Sequence, residues 1–311
     1  MVENLIQKFD GFAMNLVQTI AETQQFTPLL FHYTSTSALK KILEGKKFRF
    51  THFKDLNDSS ELIYAVEKLS DKIQPIFTLL AQDEKDADIK KMFLNFSKES
   101  KNYNPNGESF SFYLFSFCRE ENYYPAWRSY GDEGKGVAIG FKFSALNRIV
   151  DAHMEKKIKL FSSYNLIAHE IIYQEEILEN KISTPIYIWI QNNLNLIKQL
   201  LPIDKIRFYT HVIACINTNA CLFKHPAYSS ENEWRVTATA FDSNVFPQSP
   251  SDDFSRRSNL IEFEPDDIEK IYFGPCMSEE KIAQIKDWLN KHGYEQVAKN
   301  SEKSDIPYRG K

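Results

Sequence analysis

The sequence predicts an α+β fold in a single domain spanning residues 1–311. Three observations lead there. Short aromatic-rich runs alternate with a period of two, as half-buried strands do. Longer stretches between them carry apolar residues at helical spacing. The two kinds do not follow the regular strand–helix–strand order of a parallel sheet. No repeat, low-complexity tract or linker divides the chain.

Residues 3–25 place Leu5, Phe9, Phe12, Leu16 and Ile20 on one helical face, interrupted only by Gly11. Pro28 introduces Leu29-Leu30-Phe31-His32-Tyr33-Thr34, a short apolar run that reads as a buried strand. Ala38, Leu39, Ile42 and Leu43 then share a helical face stopped at Gly45. Lys47–Thr51 is a second strand, and Asp58 or Ser59 caps a helix beginning near Glu61. Residues 61–100 are helical, with a charged break at Gln82–Asp88, and Asn102–Gly107 is a loop. Ser111–Cys118 and Val137–Phe141 are strands, with a glycine-punctuated turn at Trp127–Gly136 between them. Residues 160–223 read as a mostly helical insertion within the domain. Strands follow at Glu233–Ala240, Leu260–Phe263 and Ile268–Phe273, then a helix at Glu279–Lys291 and a last strand around Tyr294–Val297.

A formal net charge of −4 gives no global basic field for nucleic acid. Hydrophobic residues make up 42% of the chain, too many for a disordered protein at so low a charge. Cys118, Cys215, Cys221 and Cys276 form no CxxC pair, as expected of reduced thiols in the cytosol. Glu3, Asp10 and Glu22 break the N-terminal apolar pattern, and no run approaches membrane-spanning length. These features lead to the expectation of a soluble cytoplasmic protein.

The sequence lacks GxGxxG after a strand, GxxxxGK[ST], HExxH and GxSxG. Tyr130–Gly136 carries two acids among its glycines, which suits a tight turn better than a phosphate cradle. His211 and His225 have no carboxylates at ligand spacing, so no metal is expected. Four polar intrusions into aromatic strands or their ends stand out. They are His32 with Thr34, Ser116 beside Cys118, the Trp127/Tyr130 turn, and Glu231/Glu233 before Trp234. Polar groups set in aromatic walls are what a ligand cleft requires. Strand alternation puts Glu231, Glu233 and Arg235 on one face and Trp234 and Val236 on the other. That face is either a solvated ion cluster or a catalytic edge.

His32-Tyr33-Thr34, Leu39/Ile42-Leu43/Gly45, Leu56-Asn57-Asp58/Glu61, Phe115–Cys118, Trp127/Tyr130-Gly131, Gly136–Phe141 and Glu231/Glu233-Trp234-Arg235 form an ordered set. Together they resemble the bacterial family known as domain of unknown function 2971, over about residues 31–274. More loosely, the H-x-T strand, the L-x-x-I-L-x-x-G helix and the late E-x-E strand start resemble the ADP-ribosyltransferase superfamily, the DNA-modifying toxins above all. That resemblance implies a split β core of two small sheets around an NAD cleft, with helical insertions. It implies NAD as substrate and a nucleic acid or protein as acceptor, in toxin or anti-phage roles. It further implies Glu233 as the catalytic residue and Glu231 as the group that orients or deprotonates the acceptor. His32, supported by Thr34, would hold the adenosine ribose, with Tyr33 also counted among the cofactor-binding residues, while Trp127 or Tyr130 would stack on nicotinamide. Ser116 and Arg235 would complete the cofactor side, with the Asn57-Asp58 turn and Glu61 either at the site or only capping a helix. A silent nucleotide- or partner-binding module, or a plain NAD glycohydrolase, fits the same residues.

Overall fold

The computed structural model describes residues 2–22, 27–52, 55, 60–102, 111–155, 165–240 and 258–308. They fold into two compact units. One takes Met1–Gln24, Asn57–Phe110 and Ile171–Ser229; the other takes Gln25–Leu56, Ser111–Glu170 and Ser230–Lys311. Each unit is assembled from three separate stretches, so no linker in the sequence marks the division.

The strands are β1 (Leu29–Thr34), β2 (Lys47–His52), β3 (Ser111–Cys118), β4 (Val137–Lys142), β5 (Asn165–Glu170), β6 (Glu233–Ala240), β7 (Ser258–Glu262), β8 (Ile268–Phe273) and β9 (Glu302–Lys303). The helices are α1 (Val2–Glu22), α2 (Thr36–Gly45), α3 (Ser60–Gln82), α4 (Ala87–Leu94), α5 (Phe96–Asn102), α6 (Tyr124–Ser129) and α7 (Phe143–Glu155). They continue with α8 (Glu175–Leu178), α9 (Thr184–Asn192), α10 (Leu194–Lys198), α11 (Pro202–Ala220), α12 (Glu279–Lys291) and α13 (Glu295–Asn300).

The first unit is helical, built from α1, α3–α5 and α8–α11 around Phe9, Leu69, Ile73, Phe77, Phe208 and Ile213. Aromatic rings dominate its centre, where Phe77 and Phe96 stack with centroids 3.9 Å apart. Among the described residues no helix is long and apolar enough to cross a membrane.

Among the described residues, the second unit carries all the strands. The resemblance implies two small sheets, but the described strands join in one network, ordered β5-β6-β3-β1-β4-β8-β9, with β7-β2 branching from β3. The network is nearly divided at β3. One edge of β3 pairs fully with β6. The other edge serves two strands: β2 at Thr51↔Leu114 and His52↔Tyr113, and β1 at Phe31↔Cys118 alone. Eight residues of edge cannot serve two strands in full, so the sheet forks at Phe115–Phe117. Phe48, Phe115, Phe117 and Phe141 fill the core on one face of the sheet. Phe31, Tyr33, Cys118, Trp127 and Tyr272 make a smaller cluster on the other.

Several local expectations are corrected. Residues 165–170 form β5, not helix, because their pairing along β6 is a long-range choice that a six-residue run does not reveal. Tyr294–Val297 opens helix α13, and a two-residue β9 follows it. Helix α2 includes Gly45, and the left-handed cap falls one residue later, on Lys46 (φ 49°). Trp127 sits within α6, not in a turn.

Candidate functional site

Residues paired across antiparallel strands share a face. Between β3 and β6 the partners are Ser116↔Arg235, Phe117↔Trp234 and Cys118↔Glu233. Phe31 lies opposite Cys118, which places Tyr33 on that same face. Ser116, Cys118, Glu233, Arg235 and Tyr33 therefore lie on one side of the sheet. Phe115, Phe117, Trp234 and Val236 lie on the other.

His32 is on that other side. Its ring packs against Phe115 at 4.4 Å and presents toward the edge of Phe117 at 6.3 Å. Its Nδ1 is 3.0 Å from the Ser116 carbonyl. A carbonyl only accepts, so the proton sits on Nδ1. The imidazole thus closes the gap in the ladder at the fork. Burial lowers its pKa, against the hydrogen bond it donates to the Ser116 carbonyl, which raises it. His32 and Thr34 consequently do not line the face that Glu233 occupies, and the expected His32–Glu233 pocket does not form. Register between distant strands decided this, and no local pattern encodes it.

Glu233 is tied down. Arg235 donates from Nε to Oε1 at 2.6 Å and from Nη2 to Oε2 at 2.9 Å, with the two residues 6% and 5% exposed. Such a bidentate pair holds the carboxylate in one orientation. His169 lies opposite Arg235 in register on β5, and its Nε2 is 2.9 Å from Thr237 Oγ1. Burial first, and then the Arg235 charge, push its pKa down to about 3. The sequence reading missed His169 because it fell in a stretch taken for helix.

Glu231 does not share the strand face of Glu233. It ends a short 3-10 turn, and Asn232 (φ 45°) takes the left-handed conformation before β6 begins. That reversal breaks the alternation assumed for E-x-E. The Glu231 carboxylate accepts the Tyr130 hydroxyl at 2.9 Å, and its backbone carbonyl lies 3.4 Å from Cys118 Sγ. Tyr130 is 46% exposed. Burial pushes the Cys118 thiol up to about 12, and the charges of Glu120, Glu233 and Glu231 act in the same direction. The two acids therefore converge around Cys118, one locked and one within reach of solvent. The thiol itself is no thiolate nucleophile at neutral pH.

Trp127 is fully enclosed. It meets Tyr33 edge-on at 4.9 Å and donates Nε1–H to Asn122 at 3.1 Å, so it is a wall of the cluster. Tyr33 donates its hydroxyl to the Glu120 carbonyl and accepts from the Tyr123 amide. Ser116 is exposed. Asn57 and Asp58 lie outside the described residues. Glu61 falls in α3, with its side chain likewise outside them. Among the described residues no group of three or more His, Cys, Asp or Glu could hold a metal ion.

Residues 126–236 match the family model described as a protein of unknown function (DUF2971). This supports the first family resemblance over a stretch that contains Trp127, Tyr130, Glu231, Glu233 and Arg235. No curated protein and no solved structure matches the chain.

Proposed function

We propose that the protein handles NAD as an ADP-ribosyltransferase-like enzyme, with Glu231 as its working carboxylate. The observation that carries this reading is the Tyr130–Glu231 pair, an aromatic and an acid that solvent reaches, held beside Cys118 and the buried Glu233. Breaking the nicotinamide–ribose bond develops positive charge on the sugar, and a fixed carboxylate stabilises it. Glu233 contributes little field, since Arg235 already matches its charge. Glu231 is accessible and oriented by the Tyr130 hydroxyl, whose ring offers a stacking surface for nicotinamide. The acceptor is a nucleic acid or protein, or water if the enzyme is a glycohydrolase. A toxin or anti-phage role rests on the resemblance alone.

The test uses purified protein and NAD labelled on adenine. Nicotinamide release by the parent chain, lost by a factor of about 10² or more in Glu231→Gln, is the expected result. Label retained on a macromolecule identifies transfer, and free ADP-ribose identifies hydrolysis. No release from a folded parent protein sinks the enzymatic reading.

The Glu233–Arg235 pair and the position of His32 across the sheet favour a second reading, a silent nucleotide- or partner-recognition module. Calorimetric binding of NAD without release of nicotinamide would establish it.

A further inference from the structure

We propose that residues 305–308 form a releasable strap that sets the position of Tyr130 on Glu231. The strap follows β9, which pairs in parallel with β8. The last backbone bond into the sheet is Ser304 N–H to the Phe273 carbonyl, 2.8 Å. Beyond it, among the described residues, no backbone–backbone bond holds residues 305–308.

Side chains hold it instead, and they grip both ends of one segment. At the near end Asp305 accepts the Asn122 amide at 2.7 Å. Asn122 adopts the left-handed conformation (φ 49°), and its other side-chain atom accepts Trp127 Nε1–H. In the middle Ile306 packs on the cluster containing Trp127 and Tyr33. At the far end the Tyr308 ring lies over Gly134, 2.7 Å from where a Cβ would stand, and its carbonyl accepts Cys276 S–H at 3.4 Å. Tyr308 also meets Tyr124 edge-on at 5.4 Å.

The clamped segment is strained. Asp132, Glu133 and Gly134 are left-handed in succession (φ 52°, 50° and 79°), and two of them carry side chains that disfavour this. Tyr130 lies directly before that turn, between the two grips. A strap held by side-chain contacts alone opens more easily than a ladder of backbone bonds. Opening at Ser304 would free Asn122, loosen Trp127 and let the turn relax, taking the Tyr130 ring from Glu231. The inference rests on the enzymatic reading only for its functional consequence.

Hydrogen exchange on the full chain carrying Asp305→Ala and Tyr308→Ala tests the strap without any NAD. Amides of residues 122–136 are expected to exchange at least about tenfold faster, while those of β3 and β6 keep their rates. Unchanged rates at 122–136 would overturn the proposal. Equal acceleration through β3 and β6 would overturn it too, because the segment would then be ordinary core. Neither outcome depends on whether the site turns over NAD.

Discussion

Glu233 and Arg235, two residues apart on β6, close on each other through two hydrogen bonds and are both more than nine-tenths buried. Removing one partner of a buried ion pair strands the other charge, at a cost of about 3–5 kcal/mol. Glu233→Gln keeps the shape and one acceptor, so about 2–3 kcal/mol is expected. Urea unfolding monitored on the sheet measures it. Glu231→Gln, at a partly buried position that keeps an acceptor for the Tyr130 hydroxyl, is expected to change stability by less than about 0.5 kcal/mol. If the two variants were equally stable, Glu233 would not be the structural acid.

Acid sensitivity follows from His169. Its pKa falls from 6.5 to about 3 on folding, so only the unfolded chain takes up a proton in that interval. The stabilisation is complete above 6.5 and is lost as pH falls from there toward 3. Each unit is worth about 1.4 kcal/mol, so stability near pH 4.5 should lie about 2–3 kcal/mol below that at neutral pH from this group alone. Burial of His32 acts in the same direction. His169→Gln keeps a group that can bond Thr237 and removes the titration. A denaturation series across pH should show a flatter profile for the variant, and parallel profiles would exclude His169 as the source.

The strands β1 to β4 and β6 to β8 were legible because short apolar or aromatic runs, several bounded by proline, glycine or other turn residues, mark them locally. The pairing that gives those strands their meaning was not. His32 and Glu233 both read as polar intrusions, yet the single contact Phe31↔Cys118 decides that they face apart. E-x-E read as one strand face until Asn232, with a positive φ that any sequence pattern allows to asparagine, reversed the chain between the acids. The shared face of Glu233 and Arg235 was present in the two-residue spacing, but it read as a solvated ion cluster or a catalytic edge, whereas the two groups are buried and pair with each other within β6. His169 could have been found by asking whether Asn165–Glu170 alternates as a strand.

Helix ends offer a stability test independent of the site. Lys46 caps α2 at φ 49°, a conformation that a lysine side chain disfavours and glycine does not, so Lys46→Gly is expected to stabilise by about 1 kcal/mol. Gly11 lies inside α1 with open space where a Cβ would stand. Gly11→Ala should add about 0.5–1 kcal/mol through helix propensity. Destabilisation by either change, read as a lower urea midpoint, would contradict the local geometry.

The fork supplies the last test, because it separates the two roles open to His32. The imidazole supplies the donor that the Ser116 carbonyl lacks where β1 and β2 part from β3, and it covers Phe115. His32→Ala removes both contributions and should cost about 2–3 kcal/mol. In His32→Asn the side-chain amide stands near the Nδ1 position and restores the bond but not the ring, so about 1 kcal/mol should return. Because His32 faces away from Glu233, NAD binding by His32→Asn should match the parent protein. A variant that kept its stability and lost NAD binding would place the ligand at the fork, on the opposite face from Tyr130 and Glu231. The working carboxylate would then have to be sought there.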